Sequence, residues 1–210
     1  MDATAKPRKR EPRGEYAKTR ATRAAILDAA LDVFAESGYR SGSLREVAQR
    51  VGMSEAGLLH HFPNKPALLA AVLDRRDHHS LEWTRMTEGN GDVTLRGLVE
   101  TATRNSSSPG VVELYCILSA EATAADHPAH EYFVRRYELG RSNVRRAFED
   151  LERQNRLMPG ITPLNAAIAT LAMMDGLQVQ WLLHRDVVDM AAELRRFFTA
   201  FVNIDFASSP

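Results

Sequence analysis

Residues 44–62, LREVAQRVGMSEAGLLHHF, decide the fold. Two short helices, about 44–51 and 55–61, joined by a tight turn make a helix-turn-helix pattern. Helices that cross closely need a small residue on the inner face of the first, and Ala48 stands there. The turn needs a positive φ, which Gly52 adopts cheaply. Val47, Val51, Met53 and Leu58 supply the apolar wedge. Ser43 and Glu46 form a Ser-x-x-Glu capping box ahead of the first helix. Ser54 can cap the second. Each feature is weak by itself; together, at this spacing, they are specific.

Outward from this segment the chain reads as helix throughout. Upstream, Ile26, Leu27, Ala30, Leu31, Val33 and Phe34 carry the amphipathic rhythm over 18–37, and Gly38 ends that helix. Downstream, Asn64 caps a helix over about 65–86, with Pro66 in its first turn. Gly89-Asn90-Gly91 breaks it. Five more helices are predicted at about 93–105, 109–124, 128–156, 163–184 and 187–203. β-branched alternation is absent, so no sheet is expected. The fold class is therefore all-α, with about nine helices and no internal repeat. The predicted organisation is a basic arm over 1–17, disordered in isolation, a reading domain over 18–65 and a helical body over 66–210.

Residues 20–70 resemble the DNA-binding domain of the tetracycline-repressor (TetR) family. The resemblance rests on Phe34-Ala35-Glu36-Ser37-Gly38-Tyr39, Ser43-Leu44-Arg45-Glu46-Val47-Ala48, Gly52-Met53-Ser54, Leu58-Leu59-His60-His61-Phe62, Asn64-Lys65 and Leu68-Leu69. It covers about a quarter of the chain, and the total length is also similar. Two positions depart from the family pattern. Leu59 stands where the family usually has a Tyr whose hydroxyl contacts a phosphate, and Leu cannot make that bond. Ala56 stands where Gly is frequent, and Gly57 follows it. Gly57 reads either as close approach to the duplex or as drift at a tolerant site.

DNA contacts divide into those that position and those that specify. Ser43, Arg45, His61 and Lys65 form the expected phosphate set. Glu55, Ala56, Gly57 and His60 face the bases, since the start of a recognition helix meets base edges in the major groove. Glu55 would accept from cytosine N4–H₂ or complement the helix dipole. Ser54 and Leu59 complete the interface, while Leu58 and Phe62 are core.

One helix-turn-helix reads few base pairs; two related by symmetry read a palindrome. A homodimer is expected through the 163–184 and 187–203 helices. The first offers Ala166, Ala167, Ala169, Ala172 and Gly176 beside Leu164, Ile168, Leu171, Trp181 and Leu182. The second offers Val187, Ala191, Leu194, Phe198 and Phe201 on one stripe. Paired helices from two subunits would make a four-helix bundle; the alternative is that these stripes face their own core. The resemblance implies a cavity framed by residues 93–156 for a small organic effector. Trp83, Met86, Tyr115, Leu118, Glu121, Phe133 and Tyr137 are its candidate lining, against the alternative that they are plain core. Glu121 would pair with a cationic ligand or reach solvent.

Bulk properties exclude other classes. Formal net charge is zero, yet residues 1–23 hold eight Lys/Arg against three Asp/Glu, which leaves a mildly acidic remainder. Such asymmetry suits a polyanion at one end. The lone Cys116 rules out an internal disulfide and fits a reducing cytoplasm. No apolar run approaches the ~18 residues a bilayer requires, and the basic start lacks the apolar stretch of a signal peptide. No phosphate loop, Cys/His pair or isolated carboxylate pair supports an enzyme. His60-His61 and His78-His79 are adjacent and point apart; His127, His130 and Glu131 flank a loop. Neither metal nor cofactor is expected. The reading is a DNA-binding transcription regulator, a repressor released from a duplex operator by its effector. A ligand-independent regulator with a filled cavity is the alternative.

Overall fold

The computed structural model describes residues 13–84 and 90–206, with side chains for 18–75 and 90–206. Among them run nine helices: α1 (Arg13–Ser41), α2 (Leu44–Arg50), α3 (Glu55–His61), α4 (Lys65–Thr84), α5 (Gly91–Asn105), α6 (Pro109–Glu121), α7 (His130–Arg153), α8 (Pro163–Leu183) and α9 (Met190–Thr199). No strand occurs among them; one antiparallel bridge joins Leu157 to Val202.

Local chemistry sets most boundaries. Gly38 takes φ 72 and interrupts the helical backbone of α1, at the expected place. α1 begins ahead of the predicted position 18, so Arg13–Ala17 are helical; the first twelve residues of the expected arm lie outside the described part. Ser43 Oγ accepts from Glu46 N–H at 3.1 Å, and Ser54 Oγ from Gly57 N–H at 3.1 Å. Asn64 Oδ1 accepts from Ala67 N–H at 2.8 Å. Asn90, expected only as part of a break, caps α5 by accepting from Asp92 and Val93 N–H. α7 stops at Arg153, short of the predicted 156. Asn155 turns to φ 55, and Arg156 N–H reaches Leu151 O at 2.9 Å, the left-handed close that Asn tolerates. α9 begins at Met190, because Asp189 Oδ1 accepts from Ala192 N–H.

Two apolar clusters carry the packing. One gathers Ile26, Val33 and Phe34 of α1, Val47 and Ala48 of α2, Leu58, Phe62, and Leu68 to Leu73 of α4. It extends without a break into Leu114, Tyr115 and Leu118 of α6 and Phe133 of α7. The reading head thus shares its core with one end of the body, across the predicted 65/66 division. The second cluster joins α5, the second half of α7, α8 and α9 around Leu98, Phe148, Trp181, Leu194 and Phe198.

Here two expectations need correction. Ala191, Leu194 and Phe198 are buried in their own subunit, so that stripe of α9 is not free for a partner. Val187 lies ahead of α9 and is 81% exposed. α8 is also long and apolar enough, by length and composition, to cross a bilayer, where the sequence suggested no such run. Its apolar residues pack on both sides of the matter: Ala166, Ala167, Leu177 and Trp181 are buried in the subunit, while Leu164, Ile168, Val179 and Leu183 are exposed.

Gly91 lets the start of α5 pack closely on α7. Its N–H donates to Asp150 Oδ2 at 2.9 Å. A Cβ at this position would stand 2.4 Å from Ala147 O and 2.7 Å from Leu151 Cγ. Backbone cannot yield as a side-chain tip can, so Gly91→Ala should lower unfolding free energy by about 2–3 kcal/mol. Urea unfolding measures this; a loss under half that would mean α5 and α7 can part freely.

Candidate nucleic-acid interface

The orientation of α3 follows from what it buries. Leu58 is fully buried and Phe62, one turn on, nearly so. Residues on the opposite side of so short a helix must face out. Glu55, Ala56, Leu59 and His60 are all exposed, and Gly57 and His61 are half-buried. The turn before α3 has the expected form: Gly52 at φ 69, with Met53 N–H on Ala48 O at 3.0 Å. Ala48 itself is fully buried at the crossing. Gly57 has a local reason besides those weighed from sequence, since a Cβ would come within 3.3 Å of the capping Ser54 Oγ.

Ties that sequence reading missed hold the head rigid. Arg23 of α1 donates to His61 O at 2.6 Å and lies 4.2 Å over the Phe62 ring. Arg50 grips both carboxylate oxygens of Glu36, joining α2 to α1 and holding the Glu36 carboxyl below the usual carboxylate range. Arg75 of α4 pairs with Asp28 at 2.9 Å and donates to Ala24 O. These partners lie 14 to 51 residues apart, so no spacing rule could pair them.

The expected phosphate set separates. Ser43 and Arg45 are exposed at the start of α2. Lys65 is engaged within the protein. Its Nζ donates to Arg40 O at 3.2 Å and sits 4.5 Å over the Tyr39 ring. Burial pushes the Lys65 ammonium pKa down, opposed by the charge of Glu121.

Glu121 belongs to this junction. It ends α6, with Oε1 3.5 Å from where a Gly38 Cβ would stand. Its Oε2 is 3.5 Å from Nε2 of the buried His127. The His127 ring meets Tyr39 edge-on at 5.2 Å, and its Nδ1 accepts from Ala129 N–H at 3.2 Å. The neutral ring therefore carries its proton on Nε2, facing Glu121. Among the described residues, Glu121 Oε2 and His127 Nε2 make no close hydrogen bond and have only each other at 3.5 Å. His130 turns elsewhere, to Ala122 O.

The other expected effector residues form a row. Tyr115 and Phe133 rings are 5.4 Å apart, Phe133 and Tyr137 6.4 Å, and Tyr132 meets Phe133 edge-on at 5.1 Å. Leu118 is fully buried in the same cluster. Tyr137 donates to Asp175 of α8 at 2.6 Å, and burial first of all holds its hydroxyl far above the usual tyrosine range. Met86 and the Trp83 side chain lie outside the described residues.

Two family models match the chain. Residues 26–72 match "Bacterial regulatory proteins, tetR family". Residues 95–203, just over half the chain, match "BetI-type transcriptional repressor, C-terminal". The chain belongs to the TetR family. Among relatives of this TetR-family chain, the regulator RutR of Escherichia coli K12 is 45% identical over 53 residues. That match spans only 25% of each chain. NalD of Pseudomonas aeruginosa, a secondary repressor of the MexAB-OprM multidrug efflux pump, is 26% identical; the alignment covers 89% of this chain and 98% of NalD, with a TM-score of 0.71. SmeT of Stenotrophomonas maltophilia, solved with triclosan, shares the fold at 20% identity and a TM-score of 0.76, covering 90% and 98%. This TetR-family chain is a DNA-binding transcription regulator and not an enzyme.

The junction gives a pH signature. Burial lowers the His127 pKa most, partly opposed by Glu121 and Asp126 and assisted by Arg40. A folded pKa below the unfolded one means the native state binds fewer protons between the two values. Stability is then complete above the ordinary histidine pKa and declines as pH falls below it. His127→Asn, whose side-chain oxygen can still accept from Ala129, should flatten the fall in stability between about pH 7 and about pH 5.5. Parallel curves for the two proteins would show that His127 titrates as it does unfolded.

Proposed function

We propose that the chain is a repressor that grips a palindromic operator as a homodimer and lets go when a small organic molecule binds its body. One observation carries this reading: α3 stands with Ala56, Leu59 and His60 exposed while Leu58 and Phe62 lock its rotation. An exposed, rigidly held second helix fits the major groove. Ser43 and Arg45, with Lys65 and His61 behind them, form the phosphate-facing rim. Glu55, Ala56, Gly57 and His60 meet base edges, and Ser54 caps the helix that presents them. The division into a reading head over 18–65 and a body over 66–210 remains the working description, with α4 packed into both.

Dimerisation is assigned to the outer face of α8. Leu164, Ile168, Ala172, Val179 and Leu183 are exposed there, and a Gly176 Cβ would meet only open space. Large residues at the ends and small ones in the middle let a second helix approach closely. α9 joins through the side away from its buried stripe. Ile168→Glu should yield a folded monomer, because Ile168 is 49% exposed. Sedimentation would show halved mass, and DNA affinity would fall at least tenfold. An unchanged dimer would move the interface elsewhere.

The effector region is assigned to Tyr115, Leu118, Phe133 and Tyr137, with Trp83 and Met86 alongside, and Glu121 at the head–body junction. SmeT bound to triclosan supports a small-molecule role for such a body. A ligand shifts an equilibrium only through unequal affinity for its two states. A compound that raises the melting temperature should therefore weaken operator binding. Equal operator affinity with and without it would leave a regulator that needs no ligand. The cytoplasm is the compartment where this function and a lone thiol fit.

A further inference from the structure

We infer that Leu59 is a specificity-determining residue that reads the methyl group of a thymine in each half of the operator. This rests on the DNA-binding reading above and adds the chemistry of the base.

The two adjacent leucines of α3 have opposite surroundings. Leu58 is completely buried, whereas Leu59 is 38% exposed. A single exposed leucine is ordinary on a protein surface. Ala56 stands three residues before Leu59 and four before His60, so it neighbours both on the outward side of the helix.

What the helix lacks sharpens the point. Between Glu55 and His61 there is no Arg, Lys, Asn or Gln. Those side chains supply the bidentate readout of guanine and adenine. The outward polar groups are Glu55, which only accepts when ionised, and His60. The remaining reading surface is the Ala56 methyl and the Leu59 isobutyl group. The one apolar feature on a base edge in the major groove is the thymine C5-methyl. Ala56 is short enough to bring the helix close, and Leu59 is long enough to cover the methyl.

The test uses the full-length protein and duplexes it selects from a random pool. Each thymine of the selected duplex is replaced singly by deoxyuridine, which removes only the methyl and keeps the pairing. Affinity is then measured at fixed salt for wild type and for Leu59→Ala. Wild type should lose about fourfold per half-site at one symmetric pair of positions. Leu59→Ala, with unchanged melting temperature, should lose nothing there, and Leu59→Met should keep the preference. Deoxyuridine effects identical in wild type and Leu59→Ala would overturn the assignment and leave Leu59 against sugar or solvent. No selected duplex and no salt-sensitive binding would overturn the DNA-binding reading itself, and this inference with it.

Discussion

Burial of Leu58 and Phe62 in the core formed with α1, α2 and α4 is the constraint on which the reading head depends. A seven-residue helix has no useful stability alone, so α3 exists because it packs. Fully burying one leucine contributes roughly 1.5–3 kcal/mol, which outweighs the weak preference of so short a segment. The same burial fixes rotation. Once Leu58 points inward, Ala56 and His60 have no choice but to point outward. Arg23 adds direction by capping the end of α3 at His61 O and covering Phe62. Function at this surface is therefore a consequence of core packing, since no residue of the outer face holds itself in place.

The head's core does not stop at α4. It runs on into Leu114, Tyr115 and Leu118 of α6 and Phe133 of α7, so the residues proposed to sense an effector and the residues that orient α3 touch one continuous apolar body. Dense packing transmits displacement because it has little room to absorb it. Beside this apolar continuity lies a polar junction. Lys65 and Tyr39 of the head face His127 and Glu121 of the body. Glu121 Oε2 and His127 Nε2 face each other at 3.5 Å without a close hydrogen bond among the described residues, and burying polar atoms so loosely paired carries a desolvation cost.

α8 divides its apolar surface between two uses. Ala166, Ala167, Leu177 and Trp181 complete the second core. The opposite side leaves Ile168 and Leu183 to solvent, the latter 70% exposed. A helix apolar on all sides is expected to be buried on more than one side, and the subunit itself covers only one of them.

The sequence by itself determined where the helices lie and which class of fold they build. Ser43, Ser54, Asn64 and Gly38 act on groups within four residues, and Gly52 needs only its own φ, so local chemistry suffices to read them. The helix-turn-helix was legible for the same reason. Misjudged ends have local causes too: Asn155 and Asp189 are caps that hydrophobic rhythm does not reveal. Tertiary structure alone decided the rest. Whether the Ala191–Leu194–Phe198 stripe meets its own core or a partner cannot be told from a periodicity, which gives a face and not its neighbour. The couplings of Arg23 to His61, Arg75 to Asp28 and Glu121 to His127 join distant parts of the chain or cross a turn whose path is set by packing. Long-range electrostatic and packing partners depend on how helices cross in space, and that geometry has no local code.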